Sequence, residues 1–320
     1  MKNGALSTFR VVTVSAALHF LVDALCLCCL YLLASPVGFE GVLGVFITYN
    51  VLAFLTQPLT GAIADRVKHG HWLLLTAVVL LALAVLSTSL VTLYFHPSSI
   101  IGWTLTAILL GMGNSLFHVW GGKQVAVQSD NDMRALGIFV STGAFGLAVS
   151  MVFYSWVLLF GLLIALCVLA VPFALRDTVS HVRFPSQKHS LPMSYVILLL
   201  LLIMLVVGMR SAVGTLFTGG LERTDIVIIM LGLLTMAGKM AGGWLCQWMG
   251  IVRAMVAVVV VVVVCLFIDA PFAMLLGLFA INCTMPVTLY FANVLLPGRE
   301  GLAFGLLAAA LVPGYLLAYI

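Results

Sequence analysis

The sequence predicts an all-α integral membrane protein built of two helical bundles, six helices followed by five. Three observations carry this. Of 320 residues, 64% are hydrophobic and only 8% charged, against about 25% charged in soluble domains. The apolar residues come in about eleven runs, each near the ~20 residues a bilayer span needs. The positive charges fall in the loops between runs, almost all on one side.

The runs lie at about 11–34, 41–63, 72–94, 100–122, 135–153, 155–175, 193–217, 225–248, 251–269, 271–295 and 300–319. The first follows Lys2 and Arg10 but continues to about Ala34. That is too long for a cleaved signal, so it reads as a membrane helix. The longest polar stretch, Arg176 to Ser190, divides residues 1–175 from 193–320 and reads as a cytoplasmic linker over 176–192. With the N-terminus inside, the cytoplasmic segments hold Lys2, Arg10, Arg66, Lys68, Lys123, Arg134, Arg176, Arg183, Lys188, Arg253 and Arg299; outside stands Arg223 alone. This asymmetry predicts a multi-pass plasma membrane (bacterial inner membrane) protein with a cytoplasmic N-terminus.

Spans three, six and nine have no ionisable residue in their apolar bodies, and the ninth holds seven consecutive valines, Val258 to Val264. These helices suit lipid contact. The others carry His19, Asp23, His118, Arg210, Lys239, Asn50, Gln57, Asn282 and Asn293. The pattern predicts greasy helices around a polar centre, because a polar group facing hydrocarbon is costly. The net charge of +4 is spread over loops with no basic stripe, so no nucleic-acid partner is expected. The seven cysteines sit in or beside apolar runs and read as packing residues. No metal set, cofactor motif or nucleophile–base pair stands out, so neither an enzyme nor a cofactor is expected.

Gly61-Ala-Ile-Ala-Asp65-Arg66 follows the second run. It resembles the loop between helices 2 and 3 of the major facilitator superfamily, whose pattern runs Gly-x-Leu-Ala-Asp-Arg-x-Gly-Arg-Arg/Lys. Here Lys68 replaces the later Gly, and His69 and Gly70 replace the basic pair. The resemblance implies a two-lobed facilitator bundle, a secondary active transporter working by alternating access. Gly61, Asp65, Arg66 and Arg134 become the expected gate. In the family the motif Asp faces a helix N-terminus and a basic residue; the eleventh span, from Gly301, and Arg134 are the expected counterparts. A full facilitator has twelve helices, so a missing twelfth helix is expected here. The second reading is a truncated or degenerate facilitator without transport.

Gly111, Gly113, Asn114, Phe117 and His118, followed by Gly137, Gly143 and Gly146, resemble a segment of the fosmidomycin-resistance branch. That resemblance implies export of small drugs. The fifth span lacks the Gly-Pro pair of many drug/proton antiporters.

His19 and Asp23 are four apart, on one helix face about 6 Å apart along the axis. A costly ionisable pair in a span is commonly a proton relay: Asp23 takes and releases a proton and His19 tunes it. The other reading pairs Asp23 with Lys239 or Arg210. Two buried positives against one negative favour an anionic ligand. Arg210, Lys239, Asn114, His118 and Asn282 are the expected solute residues. His118, near a helix end, can change charge near neutral pH and so gate or relay; it also fits a bond to a backbone carbonyl. The expected partners are a small organic solute, protons and lipid, with the chain a monomer. A faint repeat aligns Gly61 with Gly243, Gln57 with Lys239 and Asp65 with Gln247.

Overall fold

The computed structural model describes residues 2–36, 38, 43–94, 100–176 and 191–316. Most of the predicted linker lies outside the described residues. Without water to satisfy backbone amides, a spanning chain must close its hydrogen bonds within helices. Eleven helices result among the described residues: α1 Lys2–Ala34, α2 Leu43–Ala64, α3 His71–Tyr94, α4 Ile100–Gln128, α5 Met133–Phe153, α6 Trp156–Arg176, α7 Met193–Gly219, α8 Asp225–Met249, α9 Ile251–Leu266, α10 Pro271–Leu295 and α11 Glu300–Gly314. Eight are long and apolar enough to cross a membrane, and α9 and α11 are shorter apolar helices. The chain is a multi-pass membrane protein with a two-lobed bundle.

Three helices are interrupted, each beside a proline; in α11 the break falls at Ala310, ahead of Pro313. In α2, residues Val51–Leu55 form a π-helical turn, and Pro58 follows in the first turn of the next α-helical piece. Proline has no N–H to donate to the carbonyl four residues back, and its ring crowds that carbonyl. Thr56 donates its hydroxyl to the Leu52 carbonyl at 2.5 Å in the same turn. In α10, Pro271–Asn282 and Met285–Leu295 are separate pieces, with Pro286 opening the second. The α8–α9 corner turns on Gly250 at φ 81°, a conformation cheap only for glycine.

Helix α1 is the buried axis of the first lobe: Leu18, Val22, Leu25, Cys26 and Leu33 are fully buried. It packs on α4, α5 and α6, while α3 packs on α4 and α6. In the second lobe α10 packs on α7, α8 and α9. Val79, Leu83 and Leu86 of α3, Val157, Ile164 and Val168 of α6, and Val252, Val256 and Val260 of α9 point outward, as expected of peripheral helices. Helix α7 also exposes a broad apolar face, Ile197, Leu201 and Leu205 among it.

The lobes meet chiefly along α2–α11 and α5–α8. These crossings are copies of each other. Gly61 rests on the backbone of Gly301, and Gly305 on that of Gln57; Gly243 rests on Met133, and Gly137 on the Lys239 carbonyl. A methyl at Gly137 would stand 2.6 Å from that oxygen, and one at Gly61 would stand 2.9 Å from the Leu302 nitrogen. Thus Gln57 and Gly61 correspond to Lys239 and Gly243, the same four-residue step in each lobe. The faint sequence repeat is a physical one: small residues let two backbones cross at close range.

Candidate functional site

A cavity of about 320 Å³ lies between the lobes. His19, Asp23, Phe54, Gln57 and His118 line its first-lobe wall; Arg210, Ser211, Thr215, Lys239 and Asn282 line the facing wall. The cavity also touches Leu147, Thr218 and Leu311, towards the helix ends remote from the Asp65 loop.

The first wall is built from α1, α2, α4 and α5. His19 and Asp23 stand one turn apart on α1, their side chains 3.2 Å apart between Nε2 and Oδ2. From α4, His118 brings its Nε2 to 3.4 Å from Asp23 Oδ1 and 2.9 Å from His19 Nε2. Both imidazoles are aimed by carbonyls behind them: His19 Nδ1 lies 2.7 Å from the Phe139 oxygen, His118 Nδ1 2.9 Å from the Asn114 oxygen. Asn114 donates to Asp23 Oδ1 at 3.2 Å and reaches the Tyr49 hydroxyl at 3.1 Å. Gly143 of α5 lies against this pair; a methyl there would stand 2.7 Å from His19 Cδ2. A side chain at 143 would push the imidazole off its carbonyl.

The second wall is cationic. Arg210 of α7 is buried and donates from its guanidinium to the Met285 thioether. Lys239 of α8 has no hydrogen-bond or ion-pair partner among the described residues, and it faces the cavity. Asn282 lies at the break in α10, its amide donating to the Leu278 carbonyl at 2.8 Å. Two buried oxygens in the cavity walls, Gln57 Oε1 and Ser211 Oγ, have no partner among the described residues. An unmet buried polar atom costs about 1–3 kcal/mol, so both are places where a bound molecule gains.

Toward the Asp65 loop, α2 and α11 are tied together. Asp65, at the end of α2, accepts hydrogen bonds from the Gly301 and Leu302 amides, each at 2.9 Å. The first turn of α11 is therefore capped by the opposite lobe. Lys123 stands 3.6 Å from Asp65 and donates to the Ala64 carbonyl at 2.7 Å. Beside this latch, Asn131 donates to the Tyr290 carbonyl at 3.1 Å and accepts from Asn293 at 2.8 Å.

Several expectations are corrected by this geometry. Arg134 is not the partner of Asp65. It pairs with Asp132 at 2.5 Å and lies 5.3 Å from the Trp244 ring of α8; the cation at Asp65 is Lys123. Arg66 is exposed, and its side chain has no hydrogen-bond or ion-pair partner among the described residues. Asp23 pairs with two histidines and an asparagine, and with neither Lys239 nor Arg210. Asn114 does not line the cavity but stands behind Asp23. His118 is bonded to a carbonyl and also joins His19. The parts that sequence reading missed are Lys123, Tyr49 and the Phe139 carbonyl. Their separations from their partners, 59 residues for Lys123 to Ala64 and 120 for His19 to Phe139, leave no local signal.

No protein-family model matches the chain, and no curated protein does. Solved structures do match over nearly its whole length. The human organic anion transporter MFSD10 (TETRAN) superposes with a TM-score of 0.65 at 16% identity, covering 97% of this chain and 93% of its own. The major facilitator superfamily transporter FucP, in the outward conformation, gives 0.63 at 13%, covering 96% and 91%. The chain has the major facilitator fold. At such identities the likeness is one of architecture, and the resemblance to the fosmidomycin-resistance branch rests on its sequence segment alone.

Proposed function

We propose that this protein is a secondary active carrier of the major facilitator type that moves a small organic anion by alternating access. The carrying observation is the cavity between the lobes. It sets Lys239 and Arg210 on one wall against a single carboxylate, Asp23, on the other. The Lys239 ammonium, with no ion-pair partner among the described residues, is costly in a buried site until an anion neutralises it. Gln57 Oε1 and Ser211 Oγ supply further polar sites for the solute. That MFSD10 is an organic anion transporter of the same fold supports the class of solute without naming it.

In this reading residues 1–175 and 193–320 form the two lobes, and the Asp65 latch faces the cytoplasm. The latched state then faces outward. Breaking the Asp65–α11 bonds opens the inner side, while the α2–α11 and α5–α8 crossings serve as the rocking contacts.

A thermal-shift screen of the purified protein tests the solute class, since a bound ligand stabilises the fold by mass action. Small organic anions should raise the unfolding midpoint of the wild type and lose that effect in Lys239→Gln. Equal stabilisation by neutral or cationic compounds, or no loss in the variant, contradicts the reading. Proton coupling belongs to the same proposal and is tested separately. Proteoliposomes with a trapped pH dye should alkalinise or acidify only when the identified anion is added; anion flux with no pH change removes the proton.

A further inference from the structure

We propose that His19, Asp23 and His118 form a binding site for one divalent transition-metal ion of the Zn2+ or Co2+ kind, opening on the central cavity. The sequence suggested no metal set, because its histidines are scattered. The fold brings together His19 and His118, which stand 99 residues apart.

A backbone carbonyl only accepts hydrogen bonds, so the Phe139 and Asn114 oxygens fix an N–H on each Nδ1. A ring in its neutral form then presents a bare lone pair at Nε2. These lone pairs face each other at 2.9 Å, with the Asp23 oxygens at 3.2 and 3.4 Å. Three acceptors converge with no donor among them, an arrangement that needs a cation at its centre.

A proton bridges two of these atoms along a line. A metal ion uses all three, and the spacing suits one. Zinc binds imidazole nitrogen and carboxylate oxygen at about 2.0–2.1 Å, so neighbouring ligands of a tetrahedron stand about 3.3 Å apart. The His19–His118 edge is 2.9 Å, and each histidine meets a different oxygen of Asp23, at 3.2 and 3.4 Å, so the carboxylate spans the site with both oxygens. The surroundings also match what metal sites require. Each histidine donates its second nitrogen to a carbonyl, which fixes the tautomer and orients the ring. The carboxylate is held by Asn114. All three ligands are buried, yet each lines the cavity. Two imidazoles and a carboxylate suit borderline divalent ions rather than calcium or magnesium. The remaining coordination positions face the cavity opposite Lys239 and Arg210, where an anionic oxygen of a solute completes the shell.

The test uses protein purified without a polyhistidine tag and stripped with a chelator. Titration with Co2+ should show one equivalent bound with visible ligand-field absorption, displaced by Zn2+. Asp23→Asn and His118→Gln should each weaken binding by more than about 100-fold, and Asn114→Ala by about 10–100-fold. His71→Gln, at the start of α3 and away from the cavity, should leave it unchanged. X-ray absorption of the zinc-loaded wild type needs no variant; it should show two imidazoles and oxygen at about 2.0–2.1 Å. The proposal is overturned by no stoichiometric uptake, by uptake that survives both ligand substitutions, or by a zinc shell without two imidazoles. None of these readouts requires solute flux, so the carrier reading stands or falls separately.

Discussion

The carboxylate of Asp65 accepts the amide hydrogen of Gly301 at 2.9 Å, although the two belong to opposite lobes. The pseudo-equivalent helix start is handled differently. Helix α5 is capped by its own Asp132, which accepts from the Arg134 amide at 2.8 Å. Separating the lobes therefore leaves α5 capped and strips the cap from α11. Of the two crossings, only α2–α11 stores its capping energy across the interface, which is why we propose it as the latch.

Asp65→Asn should loosen that latch. A carboxylate at a helix N-terminus is worth about 1 kcal/mol, equivalent to about a fivefold change in the ratio of latched to unlatched protein. Amide hydrogen exchange at the first turn of α11 should quicken by about that factor. Exchange there that stays at the wild-type rate contradicts the latch.

The glycine crossings make a paired prediction. Gly61→Ala and Gly137→Ala each force a methyl against backbone of the other lobe. Overpacking of this kind costs about 1–3 kcal/mol, so both should lower the unfolding midpoint. Gly161→Ala, inside α6 where nothing lies within 4 Å, should leave the midpoint at or above the wild-type value, since Ala favours a helix interior over Gly by about 0.5–1 kcal/mol. A thermal scan of the three variants checks the contrast.

Asp132 gives a pH dependence. Its hydrogen bond with the Arg134 side chain, outweighing partial burial, lowers its pKa below the ordinary carboxylate range. A pKa depressed in the fold contributes stability above the unfolded value, lost as pH falls through the folded one. Asp132→Ala should cost about 1 kcal/mol at neutral pH through the lost cap. The stability gap between variant and wild type should close on acidification. A gap that persists or widens in acid is the contrary result, read from denaturation at stepped pH.

The cationic wall should set solute preference. Once an anion is identified, Lys239→Gln should weaken its binding at least about tenfold, because a hydrogen bond to a charged group is worth about 1.5–3 kcal/mol. Arg210→Gln should also weaken it, with an added loss of stability from its buried site. Lys68→Gln, on the exposed loop, should leave binding unchanged. Calorimetric titration of the three variants separates these outcomes.

Much of the architecture was legible because membrane folding leaves long signals: apolar runs, loop charges and greasy third helices. The latch was half legible. Asp65 and the start of α11 followed from a motif, but Lys123 did not, since nothing local marks which cation folds back onto Asp65. The His19–Asp23 pair showed itself by helical spacing. His118 was read as a solute residue, because its meeting with His19 depends on how α1 and α4 pack. Asn114 was placed in the cavity for the same reason; only the rotation of α4 puts it behind Asp23. Sequence alone points Arg134 at Asp65, but the cap two residues away, Asp132, competes better than a partner across the interface.

The central claim is that the two lobes rock about the cavity, and one distance measures it most directly. Spin labels at exposed Lys68 and Arg253, placed as cysteines in a background without native cysteines, report the separation of the lobes at the latch end by pulsed electron resonance. The account predicts two distance populations, with Asp65→Asn shifting weight to the longer. A single distance, unchanged by that substitution, contradicts it.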